Sequence, residues 1–276
     1  MKREDLAAFI QGKARVIREE IIKMLAKAGS GHPGGSLSSV EIVASLYFGV
    51  MKHRPHEPGW PDRDRFVLSK GHAAPLLYAV LAECGYFPKV WLESLRKLGS
   101  PLQGHPDRRK VPGVEASTGS LGQGFGWAVG MALANKLDER ESRVFVLLGD
   151  GELQEGMVWE GAMAAAHYKL DNLVAVVDYN GLQIDGPVSE IMSPLPIAEK
   201  FSAFGWHAVE VDGHDVAGLL ATFEDLDKVK GLPKVVVART VKGRGVSFME
   251  NEVGWHGTAP SLKEAERALR ELRGEG

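Results

Sequence analysis

Two apolar runs end in polar tips, and the stretch between them has the length of a single helix. No other feature of the chain constrains its fold as tightly. The first run, 143–148, closes on Gly149-Asp150-Gly151, and the second, 173–177, closes on Asp178-Tyr179-Asn180. Continuous apolar runs this short read as strands buried on both faces, which is the pattern of a parallel sheet. Residues 157–170 have the composition of the crossover helix that two such strands require.

The same alternation runs through the rest of the chain. Leu6, Phe9, Ile10, Val16, Ile17, Ile21, Met24 and Leu25 recur at helical spacing over 4–28, and Gly29 stops that helix. Ser36 or Ser38 is positioned to cap a second helix through Tyr47. Phe66-Val67-Leu68 reads as a short strand, followed by helices over 73–81 and 90–98. Residues 99–126 form a long Gly- and Pro-rich loop, the kind usually kept for function. A helix then runs to about Leu137. After Asn180 the pattern predicts a helix at 197–203, a strand at 206–211, a helix at 215–228, a strand at 234–238 and a terminal helix at 261–273. The expectation is one α/β domain over 1–276: a doubly wound, mostly parallel sheet with helices on both faces.

In such sheets ligands sit at the carboxyl edge of the strands, where Asp150 falls. Flanking glycines allow a sharp turn that brings backbone N–H groups against a phosphate oxygen. If the two strands are neighbours, Asn180 lies beside Asp150. A carboxylate, an amide oxygen and a diphosphate together suit Mg²⁺, which takes few protein ligands and supplied phosphates. Taken singly, each tripeptide also reads as an ordinary turn. The Gly119–Gly124 segment is neither a dinucleotide fingerprint nor a P-loop, because the required glycine and lysine positions are absent.

Four of the nine histidines, His32, His72, His105 and His256, stand in loops beside glycine or proline. Neutral imidazoles in a polar cleft accept and donate hydrogen bonds and move protons near neutral pH. Zinc-type spacing is missing among them. His53, His56, His167, His207 and His214 read as structural or surface residues. With 33 basic and 36 acidic residues and no block of like charge, nothing asks for nucleic acid or an anionic membrane. Apolar runs of about six residues fall short of the roughly twenty that a membrane span needs. Cys84 is the single cysteine; it excludes an intrachain disulfide and suits a reducing, cytoplasmic setting.

Six motifs then occur in one order: Ser30-Gly31-His32-Pro33-Gly34, Leu68-Ser69-Lys70-Gly71-His72, Gly104-His105-Pro106, Thr118-Gly119-Ser120-Leu121-Gly122-Gln123-Gly124, Gly149-Asp150-Gly151-Glu152-Leu153-Gln154-Glu155-Gly156 and Trp255-His256-Gly257. Their order and spacing resemble the N-terminal half of transketolase, over nearly the whole chain. Gly-Asp-Gly followed by Asn resembles the thiamine diphosphate signature. The resemblance implies that Asp150, Asn180 and the Leu182 carbonyl hold Mg²⁺ (or Ca²⁺). It also implies that Gly151, His72 and His256 meet the diphosphate, and that Gly119, Leu121 and Ile184 line the thiazolium; Ser120 and Glu152 join this cofactor-binding set. His32, His72, His105 and His256 would surround the sugar phosphate donor and acceptor, and Glu155 would pair across an interface with the activating glutamate of a partner chain. A full transketolase is about twice as long, so the chain resembles the split form. Its implied partner is a separate C-terminal subunit, in a heterotetramer of two of each chain, and its implied reaction is transfer of a two-carbon ketol unit. A deoxyxylulose-phosphate synthase or 2-oxoacid dehydrogenase fragment and a non-catalytic scaffold protein are the alternative readings.

Overall fold

The computed structural model describes residues 2–275. In chain order the elements are α1 (Arg3–Ala28), α2 (Pro33–Leu37), α3 (Val40–Ser45), a π turn (Leu46–Val50), β1 (Arg65–Leu68), α4 (Ala74–Cys84), α5 (Gln123–Leu137), β2 (Val144–Gly149), α6 (Gly156–His167) and β3 (Leu173–Tyr179). There follow β4 (Leu182–Gln183), β5 (Gly186–Pro187), α7 (Val188–Ile191), α8 (Ile197–Ala203), β6 (His207–Asp212), α9 (Val216–Leu226), β7 (Lys234–Arg239) and α10 (Leu262–Arg273).

Strands β1, β2, β3, β7 and β6 pair in that order, every pair parallel. Alternate side chains of these strands enter two cores. Phe66, Phe145, Leu147, Val174 and Val236 pack with α1, α3, α4 and α9. Val67, Val144, Val146, Ala175 and Val235 pack with α5, α6 and α8 on the other face. The handedness of parallel crossovers accounts for this division. Steps β1→β2, β2→β3 and β3→β6 all move one way across the sheet, and their helices α5, α6 and α8 share one face. Only β6→β7 steps back, and its helix α9 lies on the opposite face, as right-handed connections require. Among the described residues no helix is long and apolar enough to cross a membrane.

Helix α1 stops where expected: Gly29 adopts φ +62° and its N–H bonds to the Leu25 carbonyl at 2.9 Å. Three local expectations fail. The helix expected through Tyr47 is broken at Ser38-Ser39, and neither Ser36 nor Ser38 caps it. Ser36 Oγ donates to the His32 carbonyl at 2.7 Å, while Ser38 Oγ reaches Asp178 at 2.6 Å. The helix expected over 90–98 is a 3₁₀ stretch, Lys89–Ser94, that cannot continue because Arg96 takes φ +59° and its N–H bonds to the Leu102 carbonyl. The two-residue strands β4 and β5, an antiparallel ladder after Asn180, were not expected at all.

Candidate active site

In the β2–β3 register Gly149 stands opposite Asp178, so the two polar tips leave the sheet side by side. Between them opens a cavity of about 310 Å³, whose lining includes Asp150, Gly151, Asn180, Leu182, His72 and His256. Asp150, 2% exposed, accepts from Gly151 N–H (2.8 Å) and Gly181 N–H (2.6 Å) and, among the described residues, has no cationic side chain bonded to it. Burial first, and the nearby Asp178 carboxylate second, push its carboxyl up to about 6. Asn180 Nδ2 donates to Asp178 at 2.9 Å, and its Oδ1 accepts Leu182 N–H at 3.1 Å.

The histidines arrive from three loops. His32, His72 and His256 form a triangle with ring centroids 5.3, 5.7 and 5.4 Å apart. A glycine makes room beside each of two rings: a Cβ on Gly35 would sit 3.3 Å from His72 Nε2, and one on Gly257 3.7 Å from His32. Burial, reinforced by the Lys242 charge, lowers His256 to about 4. Burial and then Lys70 hold His72 well below its ordinary value, and burial followed by His105 and Arg96 lowers His32. All three rings are therefore neutral near pH 7. Nδ1 of His32 is buried and has no hydrogen-bond partner among the described residues. His105 does not join the triangle; it is exposed and lies against Gly119, 3.2 Å from where a Cβ would stand.

Other expected residues divide the same way. Leu121 and Ile184 border the cavity, with Ile184 63% exposed. Gly119 is held by Gly71, whose missing Cβ would fall 2.8 Å from the Gly119 nitrogen. Ser120 is exposed and does not line the cavity. Glu152 borders it, but its carboxylate is engaged within the protein: Ser69 Oγ donates at 2.5 Å, Gly122 N–H at 2.8 Å and Gly149 N–H at 3.1 Å. It ties the α5 entry loop to the end of β2. Glu155 lies on the rim, exposed and without a side-chain hydrogen bond or ion pair among the described residues.

The residue that sequence reasoning passed over is Lys242, in the loop that follows β7. It is 2% exposed, and its ammonium donates to the Leu182 carbonyl (2.9 Å) and sits 2.8 Å from His256 Nδ1. Burial lowers it to about 8. Beneath the cavity, Lys70 and Asp178 form a buried ion pair at 2.6 Å, equally unforeseen. The one local signal was a lysine directly before a glycine, in Lys242-Gly243 and Lys70-Gly71.

The oxygen set of Asp150, Asn180 and the Leu182 carbonyl fits a hard divalent cation, and an uncompensated buried carboxylate calls for one. Among the described residues no three His, Cys, Asp or Glu side chains cluster in metal-binding geometry. Residues 11–274 match the family described as transketolase, thiamine diphosphate binding domain. The chain belongs to that family. The 6-deoxy-6-sulfo-D-fructose transketolase subunit of Clostridium sp. (strain MSTE9) is 45% identical, with 97% of each chain covered. An apulose-4-phosphate transketolase subunit from Phocaeicola vulgatus is 41% identical over 92% of this chain and 90% of its own. Human transketolase is 44% identical over 95% of this chain, which spans only 42% of the human protein. The solved Pichia stipitis transketolase in complex with sedoheptulose-7-phosphate superimposes with TM-score 0.91 at 34% identity, over 96% of this chain and 40% of that one. The cavity at the β2–β3 edge is thus the candidate cofactor site of a transketolase-family thiamine diphosphate-binding domain.

Proposed function

We propose that this chain is the cofactor-binding subunit of a two-component transketolase that moves a two-carbon ketol unit from a ketose to an aldose, both carrying an anionic tail. The observation that carries this reading is that one cavity is lined by Asp150, Asn180 and Leu182 together with the neutral His72 and His256, with His32 packed against both rings. Asp150, Asn180 and the Leu182 carbonyl would hold Mg²⁺ (or Ca²⁺), while Gly151 N–H, His72, His256 and Lys242 would meet the diphosphate. Thiamine diphosphate, when bound, supplies the electron sink for breaking the bond beside the donor carbonyl. The chain's own side chains would bind, orient and move protons. Because His32, His72 and His256 stay neutral near pH 7, each can take a proton from a sugar hydroxyl and return it, a contribution of about 10²–10⁴-fold for a well-placed base.

Two kinds of sugar, one with a sulfonate and one with a phosphate, appear in the names of the related subunits, so the substrate class extends to anionic-tailed ketoses generally. Their description as subunits supports a separate companion chain. Glu155, exposed and unpartnered at the rim, is the residue that would face the companion's carboxyl group, in an assembly of two of each chain. The test combines this chain with its candidate companion, Mg²⁺ and thiamine diphosphate, and follows ketol transfer from a ketose phosphate to an aldose phosphate. Transfer only in the complete mixture is the expected result; decarboxylation of pyruvate without ketol transfer would overturn the reading.

A further inference from the structure

Asn180 is one of three oxygen donors in the proposed cation site, and an amide can present either end to a cation. In this chain the choice is made from below. Asp178, fully buried, gathers four donors: Oδ2 accepts from Lys70 Nζ at 2.6 Å, Ser38 Oγ at 2.6 Å and Asn180 Nδ2 at 2.9 Å, and Oδ1 accepts from Thr240 Oγ1. Lys70 is itself held by Ser39 Oγ (2.7 Å) and the Gly35 carbonyl (2.8 Å), so the pair cannot swing away. An ionised carboxylate only accepts hydrogen bonds, so the Asn180 edge that faces Asp178 must be its NH₂. Its Oδ1 is then turned the other way, where it meets the Leu182 N–H at 3.1 Å.

We propose that Asp178 is a positioning residue for the cation site: its buried carboxylate fixes the Asn180 amide so that Oδ1, and not Nδ2, is offered beside Asp150. The inference rests on the proposed cofactor function. Two physical consequences separate it from a merely structural role. A neutral acceptor at 178 is enough to orient the amide, provided that Lys70 is not left as an unpaired buried charge. Conversely, a carboxylate at 180, which in an ordinary oxygen site strengthens divalent cation binding, faces Asp178 here without a donor and is repelled. Lys70 neutralises Asp178, which leaves Asp150 as the carboxylate whose charge is free for the cation.

The experiment reads Mn²⁺ affinity by electron paramagnetic resonance, in the presence of thiamine diphosphate, on the chain assembled with its companion. Residues that orient a metal's ligands typically change affinity about 10- to 100-fold when removed. Asp178→Leu/Lys70→Met should therefore weaken Mn²⁺ binding by at least about tenfold, while Asp178→Asn/Lys70→Met, with the same charges removed, should stay within about threefold of the wild type. Equal affinities in the two double variants, whether both retained or both lost, overturn the positioning role. Far-UV circular dichroism checks the fold of each. Asn180→Asp changes a partly exposed residue and leaves the core intact: a fall in Mn²⁺ affinity supports the clamp, and a rise overturns it. Failure of the wild-type assembly to take up Mn²⁺ removes the underlying cofactor function instead.

Discussion

Replacing Glu41 by Gln should expose the network that holds the loop carrying Lys242. Glu41, on α3 and 2% exposed, accepts from Arg18 Nη1 (2.5 Å) and Nη2 (2.7 Å) and pairs with His214 Nδ1 at 3.0 Å. His214 Nε2 accepts the Val241 N–H at 2.9 Å, so in the neutral ring the proton sits on Nδ1 and is donated to Glu41. Arg18 Nε donates to the Arg244 carbonyl at 2.9 Å. Both partners of Glu41 therefore grip the backbone on either side of Lys242. Burial raises the Glu41 carboxyl, but the His214 bond and the Arg18 charge outweigh it and hold the group at about 2, against an ordinary 4.5. Holding the carboxyl at about 2 corresponds to about 3 kcal/mol, at about 1.4 kcal/mol for each tenfold in proton affinity, in line with the cost of removing one partner from a buried pair. The folded value lies below the unfolded one, so this stability is fully present above about pH 4.5 and is lost as pH falls towards 2. Urea unfolding followed by tryptophan fluorescence should give a gap between wild type and Glu41→Gln of about 3 kcal/mol at pH 7, shrinking to about half that at pH 3. A gap under about 1 kcal/mol at pH 7, or one that does not change with pH, would refute the reasoning.

Asp150→Ala should abolish Mg²⁺-dependent uptake of thiamine diphosphate by the assembled protein in calorimetry, and full uptake would remove Asp150 from the site. In the wild type that uptake should weaken below about pH 6, where a proton competes for the raised Asp150 carboxyl. Gly71→Ala places a Cβ 2.7 Å from the Thr118 carbonyl carbon and 2.8 Å from the Gly119 nitrogen, both backbone atoms that must shift. It should cost about 1–3 kcal/mol in thermal melts and weaken cofactor binding; an unchanged melting temperature contradicts the packing. Glu155→Gln should alter the stability of the isolated chain by less than about 0.5 kcal/mol, since the side chain is exposed and unpartnered, yet slow ketol transfer in the assembly. Unaltered transfer would exclude Glu155 from the proposed pairing with the companion's carboxyl group.

The strands were legible because a strand buried on both faces has nothing but apolar side chains to show, and 143–148 and 173–177 show little else. Helix α8 fell at 197–203 as expected, bounded by Pro196 and Gly205. Misreadings arose where a side chain far away decides the backbone. Ser38 looks like a helix cap in isolation; it leaves that role for Asp178, 140 residues later. Residues 90–98 have a helical composition, but the long loop folds back and takes the Arg96 N–H for Leu102. The β4–β5 ladder is too short to carry any period of its own.

Asp150, Asn180, His32, His72 and His256 could be read from the sequence because each sits in a turn that glycine or proline marks, so its chemistry and its local geometry are adjacent in the chain. The charges around the candidate site are marked more weakly, by a single following glycine at Lys70 and Lys242 and by none at Asp178. Lys242 reaches the Leu182 carbonyl across 60 residues, and Lys70 reaches Asp178 across 108. In sequence Asp178 is simply a polar end to an apolar strand, and Lys70 a polar residue after another. Only the parallel order β1-β2-β3-β7 brings their tips together, setting two carboxylates against two ammonium groups in one buried space. Burial is what gives those charges their effect. In water the Lys242 ammonium would act on His256 with only about 1 kcal/mol, whereas here burial and that neighbouring charge together hold the ring at about 4. The proton affinity of His256 therefore depends on where β7 delivers Lys242, and no reading of the motifs one at a time could have supplied it.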